Sequence, residues 1–416
     1  MDRVILHSDL NSFYASVECL YNPKIRQLPV AVAGDPQARH GIILTKNQIA
    51  KKYGVKTGEA IWQAKQKCPQ LVLVKPNYQR YLRYSHLAQE IYRSYTDRIE
   101  PFGIDECWLD LSGCPNSEDG GLRIAHAIRR RIKTELGLTV SVGVSYNKIF
   151  AKLGSDYRKP DAVTLIGKPQ RESIVWPQPV ENLLYVGPAS KRKLQRYGIF
   201  TIGQLAQAKP DFLEEIFGKT GRQLWIFANG YDVTPVASAA TKLSMKSISN
   251  STTTVRNLTC DEEVHGILTM LSESVAARMR EQGVHGSTIA VSIRSSDLQS
   301  VERQKKLLSP TCVSSVISGT AMELFRENYR WEKPIRSLGV RVSDFDEDFV
   351  RQMDLFQKAQ QQENQEKIER VVDGLRKRFG VFSIQRASLL KDQQLTGLDT
   401  SIQNQIHPMG FFSWNY

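Results

Sequence analysis

No stretch of the chain approaches the roughly 18 uninterrupted apolar residues of a membrane-crossing helix, so no such span is expected. The opening MDRVILHSDLN carries acids at Asp2 and Asp9 where a secretory signal would have a basic segment and an apolar core. Cysteine is scarce. The six (Cys19, Cys68, Cys107, Cys114, Cys260, Cys312) form no C-x-x-C pair and no zinc spacing, so free thiols in a reducing cytosol are expected. The seven histidines are scattered, none at i, i+4 from another ligand. No repeat recurs at solenoid periods. Gly218-Lys219-Thr220 is not a phosphate loop, because Leu213 stands where its first glycine belongs.

What is present is a chain of 416 residues, enough for two to four domains with real cores. The net charge is +13, from 56 Lys and Arg against 43 Asp and Glu. Such a surplus favours a polyanionic partner, nucleic acid before membrane, without indicating any sequence preference.

VILHSDL reads as a strand, and SFYASVECLYNP as a helix that stops before Pro23. LPVAVAG reads as a strand, GIILTKNQIAKKYGVKTGEAI as a strand, a helix and a Gly-containing turn, the stretch to Cys68-Pro69 as helical, LVLVKP as a strand, and residues 78–98 as a helix with an aromatic stripe. Then come IEPFGIDECWLDLSG, a helix with Ile124, Ile128, Ile132 and Leu136 on one buried face, and the strand LTVSVGVSYN. This order predicts an α+β unit, a mixed sheet with helices on one side. Beyond residue 166, ENLLYVGPASKRKLQRYGIFTIGQLAQ reads as two short helices around a glycine turn, and residues 231–243 as a linker. A second α/β unit follows, with alternating strands such as STIAVSIRSSD and RSLGVRVSDF. A Gln-rich tail helix then runs to Phe379.

Two acids, Asp105 and Glu106, interrupt an otherwise apolar strand segment. If residues 99–104 and 107–112 pair antiparallel, both acids lie near the junction, where Asp9 at the end of a neighbouring strand could join them. Converging carboxylates repel unless hard divalent cations neutralise them. Taken alone, Asp9 or Asn11 could instead cap the following helix, and Asp-Glu could be a solvated turn.

DLNSFYASVE, GIDECWLDLSG and SVGVSYNKIFAKLGSDYRKP, in this order and spacing, resemble the palm motifs of Y-family DNA polymerases, nearest to the bacterial DNA polymerase IV (DinB) and UmuC class. The likeness runs from residue 1 to about 345. It implies an α+β multidomain fold: a palm (1–18 and 78–166), small fingers (19–77), and a helical thumb with a helix-hairpin-helix (167–230). A linker (231–243), an α/β little finger (244–346) and a tail (347–416) complete the division. The activity implied is low-fidelity, template-directed translesion DNA synthesis in damage tolerance, by a cytoplasmic monomer with no membrane partner. The alternative is a catalytically inactive accessory protein that binds DNA and a clamp.

The resemblance also implies residue roles. Asp9 and Asp105 would bridge two Mg²⁺ ions, Glu106 would hold the ion at the primer 3′-OH, and the Leu10 carbonyl would complete the other site. Tyr14 matches the steric gate against a ribose 2′-OH, with Phe13 lining the sugar pocket. Ser12, Thr45, Lys51 and Lys159 match the dNTP triphosphate ligands, although Lys51 stands where many relatives carry Arg and Gln48 where many carry Tyr. Gly103 and Cys107 also depart from the usual residues around the acids. Gly187 and Ala189 of the helix-hairpin-helix, where Gly187-Pro188-Ala189 replaces the usual G-x-G, and Lys246, Ser247 and Ser249 of KSISNSTTT stand at positions that contact the backbone of primer–template DNA. Gln352-Met353-Asp354-Leu355-Phe356 resembles the peptide that docks on the bacterial sliding clamp (the beta subunit), through Gln352, Leu355 and Phe356. A UmuD-like protein is a further candidate partner.

Overall fold

The computed structural model describes residues 3–35, 39, 41–113, 117–238, 245–346 and 358–399. They divide into two compact units. The first holds the described residues of Met1–Gly34 and Ile42–Thr241, the second those of Asp35–Gly41 and Lys242–Gln405.

The first unit begins with strand β1 (Ile5–Leu10) and helix α1 (Phe13–Tyr21). β2 (Val30–Ala33), β3 (Ile43–Lys46), α2 (Gln48–Lys52), α3 (Ile61–Lys67) and β4 (Val72–Val74) follow, and the three strands form a small sheet ordered β3–β2–β4. After α4 (Tyr78–Arg93) come β5 (Ile99–Pro101), β6 (Glu106–Asp110), α5 (Ser117–Leu136), β7 (Val140–Ser145), α6 (Lys148–Tyr157) and β8 (Val163–Ile166). The main sheet runs β5–β6–β1–β7–β8, antiparallel except for the parallel β7–β8 pair.

Strand alternation divides this sheet into two chemically different faces. Leu6, Leu10, Val142 and Val144 point to one side and join Ile91 of α4 and Ile128 and Ile132 of α5 in a buried core. His7 and Asp9 point to the other side, where Ile5 and Trp108 pack with Ala151 of α6. The helices therefore do not all lie on one side, as the element order had suggested. α6 approaches so closely that a Cβ on Gly143 would fall 1.8 Å from the Ala151 carbonyl oxygen. Only glycine fits beneath it.

α7 (Pro188–Arg196), α8 (Ile202–Gln207), α9 (Pro210–Phe217) and α10 (Lys219–Asn229) complete the first unit. Leu194, Leu205, Leu213, Leu224 and Phe227 share a core with Ile149, Phe150 and Leu153 of α6, so one helix joins the main sheet to this helical region.

The second unit holds β9 (Ser247–Leu258), α11 (Asp261–Gln282), β10 (His285–Ser295), β11 (Ser300–Thr311), α12 (Ser314–Asn328) and β12 (Ile335–Asp346). Its antiparallel sheet is ordered β11–β10–β12–β9, with α11 and α12 supplying the core against one face. The tail helix α13 (Lys358–Phe379) and the short α14 (Gln393–Thr396) belong to this unit. Leu389 and Leu395 enter its core, and the buried Arg280 of α11 pairs with Glu369 at 2.5 Å and Asp373 at 2.7 Å. Among the described residues, no helix is long and apolar enough to cross a membrane.

Candidate active site

Asp9 is the fifth residue of β1 and stands opposite Glu106, the first residue of β6, in the antiparallel pair. Cross-strand neighbours present their side chains on the same face. Asp105 lies one residue before β6, in the turn that follows Gly103. That glycine adopts φ +84°, a conformation few other residues tolerate. The Leu10 N–H donates to the Asp105 carbonyl oxygen at 3.0 Å, which ties the turn to the end of β1. The strand pairing inferred from the sequence is thus present, with β5 reaching only to Pro101.

Asp9 does not cap α1. Ser12 is the N-cap residue, in the left-handed region at φ 49° and without a side-chain cap bond. Asn11 is used elsewhere. Its Nδ2 donates to Ser141 Oγ at 3.0 Å and its Oδ1 accepts from the Asp161 N–H at 2.8 Å, holding the loop after Lys159 beside β1.

Burial dominates the electrostatics. It lifts Asp105 from 3.8 to about 7, with the charges of Asp9 and Glu106 adding to the effect. Burial raises Asp9 as well, against the pull of Lys159. Two ammonium groups relieve the repulsion: Lys159 Nζ lies 2.6 Å from Asp9 Oδ2, and Lys152 Nζ lies 2.6 Å from Glu106 Oε2. Asp156 accepts from Lys159 at 2.5 Å and lies 3.7 Å from Lys152. Burial works against the charge on Lys159, yet Asp9 and Asp156 hold it above the usual lysine range.

His7, Lys152 and Asp156 were not identified from the sequence. Lys152, Asp156 and Lys159 recur at helical spacing, which was the available signal for the last two. His7 is fully buried: Nδ1 is 2.8 Å from Ser155 Oγ, and Nε2 comes within 3.3 Å of Glu106 without the alignment of a hydrogen bond. Burial and the Lys152 charge push its pKa well below 6.5, so the ring is neutral. Cys107, a departure noted above, is a buried core residue on the opposite face.

Tyr14 stacks on Tyr81 with ring centroids 4.2 Å apart and planes 10° from parallel. Burial first, then the Asp105 charge, raises its phenol to about 12, so the ring sits near the acids. Tyr81 is fixed in turn, since its hydroxyl donates to Glu18 at 2.8 Å and accepts from the Asn77 N–H at 3.1 Å. Phe13 is buried beside both rings. Ser12 Oγ accepts from Gln48 Nε2 at 3.2 Å, linking this turn to α2. Thr45 is half-buried in β3 and Lys51 exposed on α2, and among the described residues no hydrogen bond or ion pair joins either to the carboxylates.

A cleft of about 650 Å³ opens between α6 and residues 178–187, lined by Lys152, Asp156, Tyr185 and Gly187 among others. Gly187 and Ala189 are exposed at the start of α7. Lys246, Ser247 and Ser249 are exposed while Ile248 and Asn250 are buried, the alternation of a half-solvated strand. Gln352, Leu355 and Phe356 lie outside the described residues.

The family model described as impB/mucB/samB matches residues 8–156, and that of the C-terminal domain of the same family matches residues 245–355. DNA polymerase IV of Acetivibrio thermocellus is 51% identical over 396 residues, covering 95% of this chain and 99% of that protein. DNA polymerase IV 1 of Bacillus subtilis is 37% identical over 402 residues, 96% of each. A solved Y-family DNA polymerase chimera of Dbh and Dpo4 superposes with a TM-score of 0.72 at 24% identity, covering 82% of this chain and 98% of the chimera.

The chain belongs to the Y family of DNA polymerases. Its fold is accordingly the palm, fingers, thumb and little finger of that family. A Y-family member of the DNA polymerase IV type is a DNA-directed, metal-dependent translesion polymerase that binds primer–template DNA and dNTPs. The acids fit the metal requirement: all three offer hard oxygen donors, burial first and then neighbouring carboxylates raise the pKa of Asp9 and Asp105, and lysines stand in as monovalent counter-charges.

Proposed function

We propose that Asp9, Asp105, Glu106 and the Leu10 carbonyl would hold two Mg²⁺ ions, with Glu106 serving the primer end. Bound there, the ions would supply the charge that favours attack by the 3′-OH on the dNTP α-phosphorus and departure of pyrophosphate. One observation carries this reading: Asp9 and Glu106 face each other across paired strands, with Asp105 beside them, and lysines are their balancing charges. Buried carboxylates left unneutralised would cost several kcal/mol.

The remaining roles belong to the chain itself. Lys159, on a loop anchored by Asn11, is the cation that passes from Asp9 to the incoming triphosphate. Ser12, Thr45 and Lys51 are the other triphosphate ligands, Lys51 as a point charge without the fork of an arginine. Tyr14, braced by Tyr81, excludes a ribose 2′-OH, and Phe13 closes the sugar pocket. The cleft beside α6 accommodates the primer strand, with Gly187 and Ala189 on its phosphates. Lys246, Ser247 and Ser249 follow the duplex backbone without reading bases.

The subdomains have the boundaries given from the sequence, and synthesis is of low fidelity. Residues 352–356 dock on the bacterial sliding clamp, two apolar anchors and an amide suiting a small pocket. The enzyme acts as a cytoplasmic monomer, with a UmuD-like protein as a further partner. The inactive accessory alternative is disfavoured because every metal-binding acid and the gate tyrosine are present.

Extension of a primed template, with Mg²⁺ titrated from zero, tests the reading. Wild type should extend only with the cation, and Glu106→Ala should not extend at any concentration. A wild type that binds primer–template but never extends it would support the accessory protein instead.

A further inference from the structure

A second cluster of potential ligands lies wholly within the second unit, among residues distant in sequence. His285 is the first residue of β10, Cys312 directly follows β11, and Glu366 projects from the tail helix α13. The antiparallel β10–β11 pairing places Gly286 opposite Thr311, which brings His285 and Cys312 to neighbouring positions at one end of the sheet. One histidine nitrogen, the thiol sulfur and one carboxylate oxygen lie within 4.8 Å of one another. His285 Nε2 is 3.3 Å from Glu366 Oε2. Cys312 and Glu366 are buried, and His285 is mostly so.

We propose that His285, Cys312 and Glu366 form a transition-metal site of the zinc class that staples the tail helix to the little-finger sheet. The donor chemistry selects the class. Nitrogen, sulfur and oxygen together suit Zn²⁺ and its neighbours, whereas Mg²⁺ takes the all-oxygen set of the active site. The surroundings also orient the ligands. Arg370 Nη2 donates to Glu366 Oε1 at 2.7 Å, which leaves Oε2 directed at the histidine. Arg280 Nη1 donates to the Cys312 carbonyl oxygen at 2.8 Å and fixes the backbone that carries the thiol. Outer hydrogen bonds of this kind hold metal ligands in place. Thiolate and carboxylate together balance a dication; the buried Arg280 is compensated separately by Glu369 and Asp373, and Arg370 beside Glu366 is half exposed, so solvent screens its charge. Coordination sends the thiol proton to solvent, and a water completes a fourth position.

The site joins three elements that hydrogen bonds alone hold less rigidly, and it fixes where α13 leaves the sheet. No polymerase chemistry passes through it, so its loading is separable from catalysis.

The test uses the full chain, stripped of transition metals and kept in saturating Mg²⁺ so that the active-site acids are occupied. Co²⁺ is the probe. One Co²⁺ per chain should bind with a thiolate-to-cobalt charge-transfer band, and Cys312→Ser should lose that band while extending primers at the wild-type rate. Zn²⁺ should raise the thermal unfolding midpoint of wild type and leave that of Cys312→Ser unchanged. Absence of the band in wild type, or its persistence in Cys312→Ser, overturns the proposal. Should Cys312→Ser fail to fold by circular dichroism, His285→Gln and Glu366→Gln decide. Each should weaken Co²⁺ binding at least tenfold, and wild-type affinity in either refutes the site.

Discussion

Replacing Asp105 with Asn should stabilise the metal-free enzyme while slowing its catalysis by orders of magnitude. Burial, reinforced by Asp9 and Glu106, raises the Asp105 carboxyl from 3.8 to about 7. At about 1.4 kcal/mol per pH unit, the charged form costs the folded state up to about 4 kcal/mol at pH 8. The sign follows from the direction of the shift. A carboxyl whose pKa is raised on folding favours the folded state below its unfolded value. That stability is lost as pH rises through the folded pKa. Wild type therefore weakens between about pH 4 and pH 7 and levels off above, whereas the uncharged asparagine does not. Melting of both proteins in a chelator, followed by calorimetry across this range, should show a gap that opens with pH and reaches several degrees at pH 8. Saturating Mg²⁺ should shrink or reverse it, because only wild type gains binding energy from the cation. Equal midpoints at pH 8, or a gap already full at pH 4, would show that Asp105 is not held in a repulsive, desolvated cage.

The sugar gate gives a graded series. Tyr14→Ala should increase ribonucleotide incorporation sharply, and Tyr81→Leu, which removes the ring stacked at 4.2 Å, should do so partially; single-nucleotide insertion with dNTP and rNTP reads both, and unchanged selectivity in Tyr14→Ala refutes the role. Arg280→Met should destabilise the second unit by about 3 kcal/mol, since Glu369 and Asp373 lose their buried cation. Denaturant titration would count against that clasp if the midpoint did not move. Gln352→Ala combined with Leu355→Ala and Phe356→Ala should abolish stimulation by a sliding clamp and spare clamp-free synthesis. Equal stimulation would remove the motif from that role.

The candidate catalytic acids were legible in part because their cost is local. Two carboxylates in an apolar strand demand an explanation from the sequence itself, but a solvated turn was an equally open one, and it was the resemblance of three motifs to the Y-family palm that joined them to Asp9. The face occupied by α6 was not legible, since element order says nothing about which side of a sheet a helix crosses. Gly143, whose absent side chain admits that helix, lies inside the strand LTVSVGVSYN with nothing in its neighbours to mark the approach. His7 was hidden for a similar reason: a histidine between apolar residues declares neither its burial nor its neighbour Glu106. The His285, Cys312 and Glu366 cluster lay beyond any spacing rule, because its members come from three elements and meet only through β-pairing and the docking of α13. The tail helix itself was expected, but not its anchoring. That depends on Arg280, a charged residue whose burial no local pattern announces.

The most direct test of the carboxylate cage is a single-turnover extension rate for Asp105→Ala at saturating dNTP and Mg²⁺, measured beside its affinity for primer–template DNA. Extension should fall by two to three orders of magnitude, with DNA affinity close to wild type. Extension within a few-fold of wild type would contradict the assignment of Asp9, Asp105 and Glu106 as the catalytic metal site.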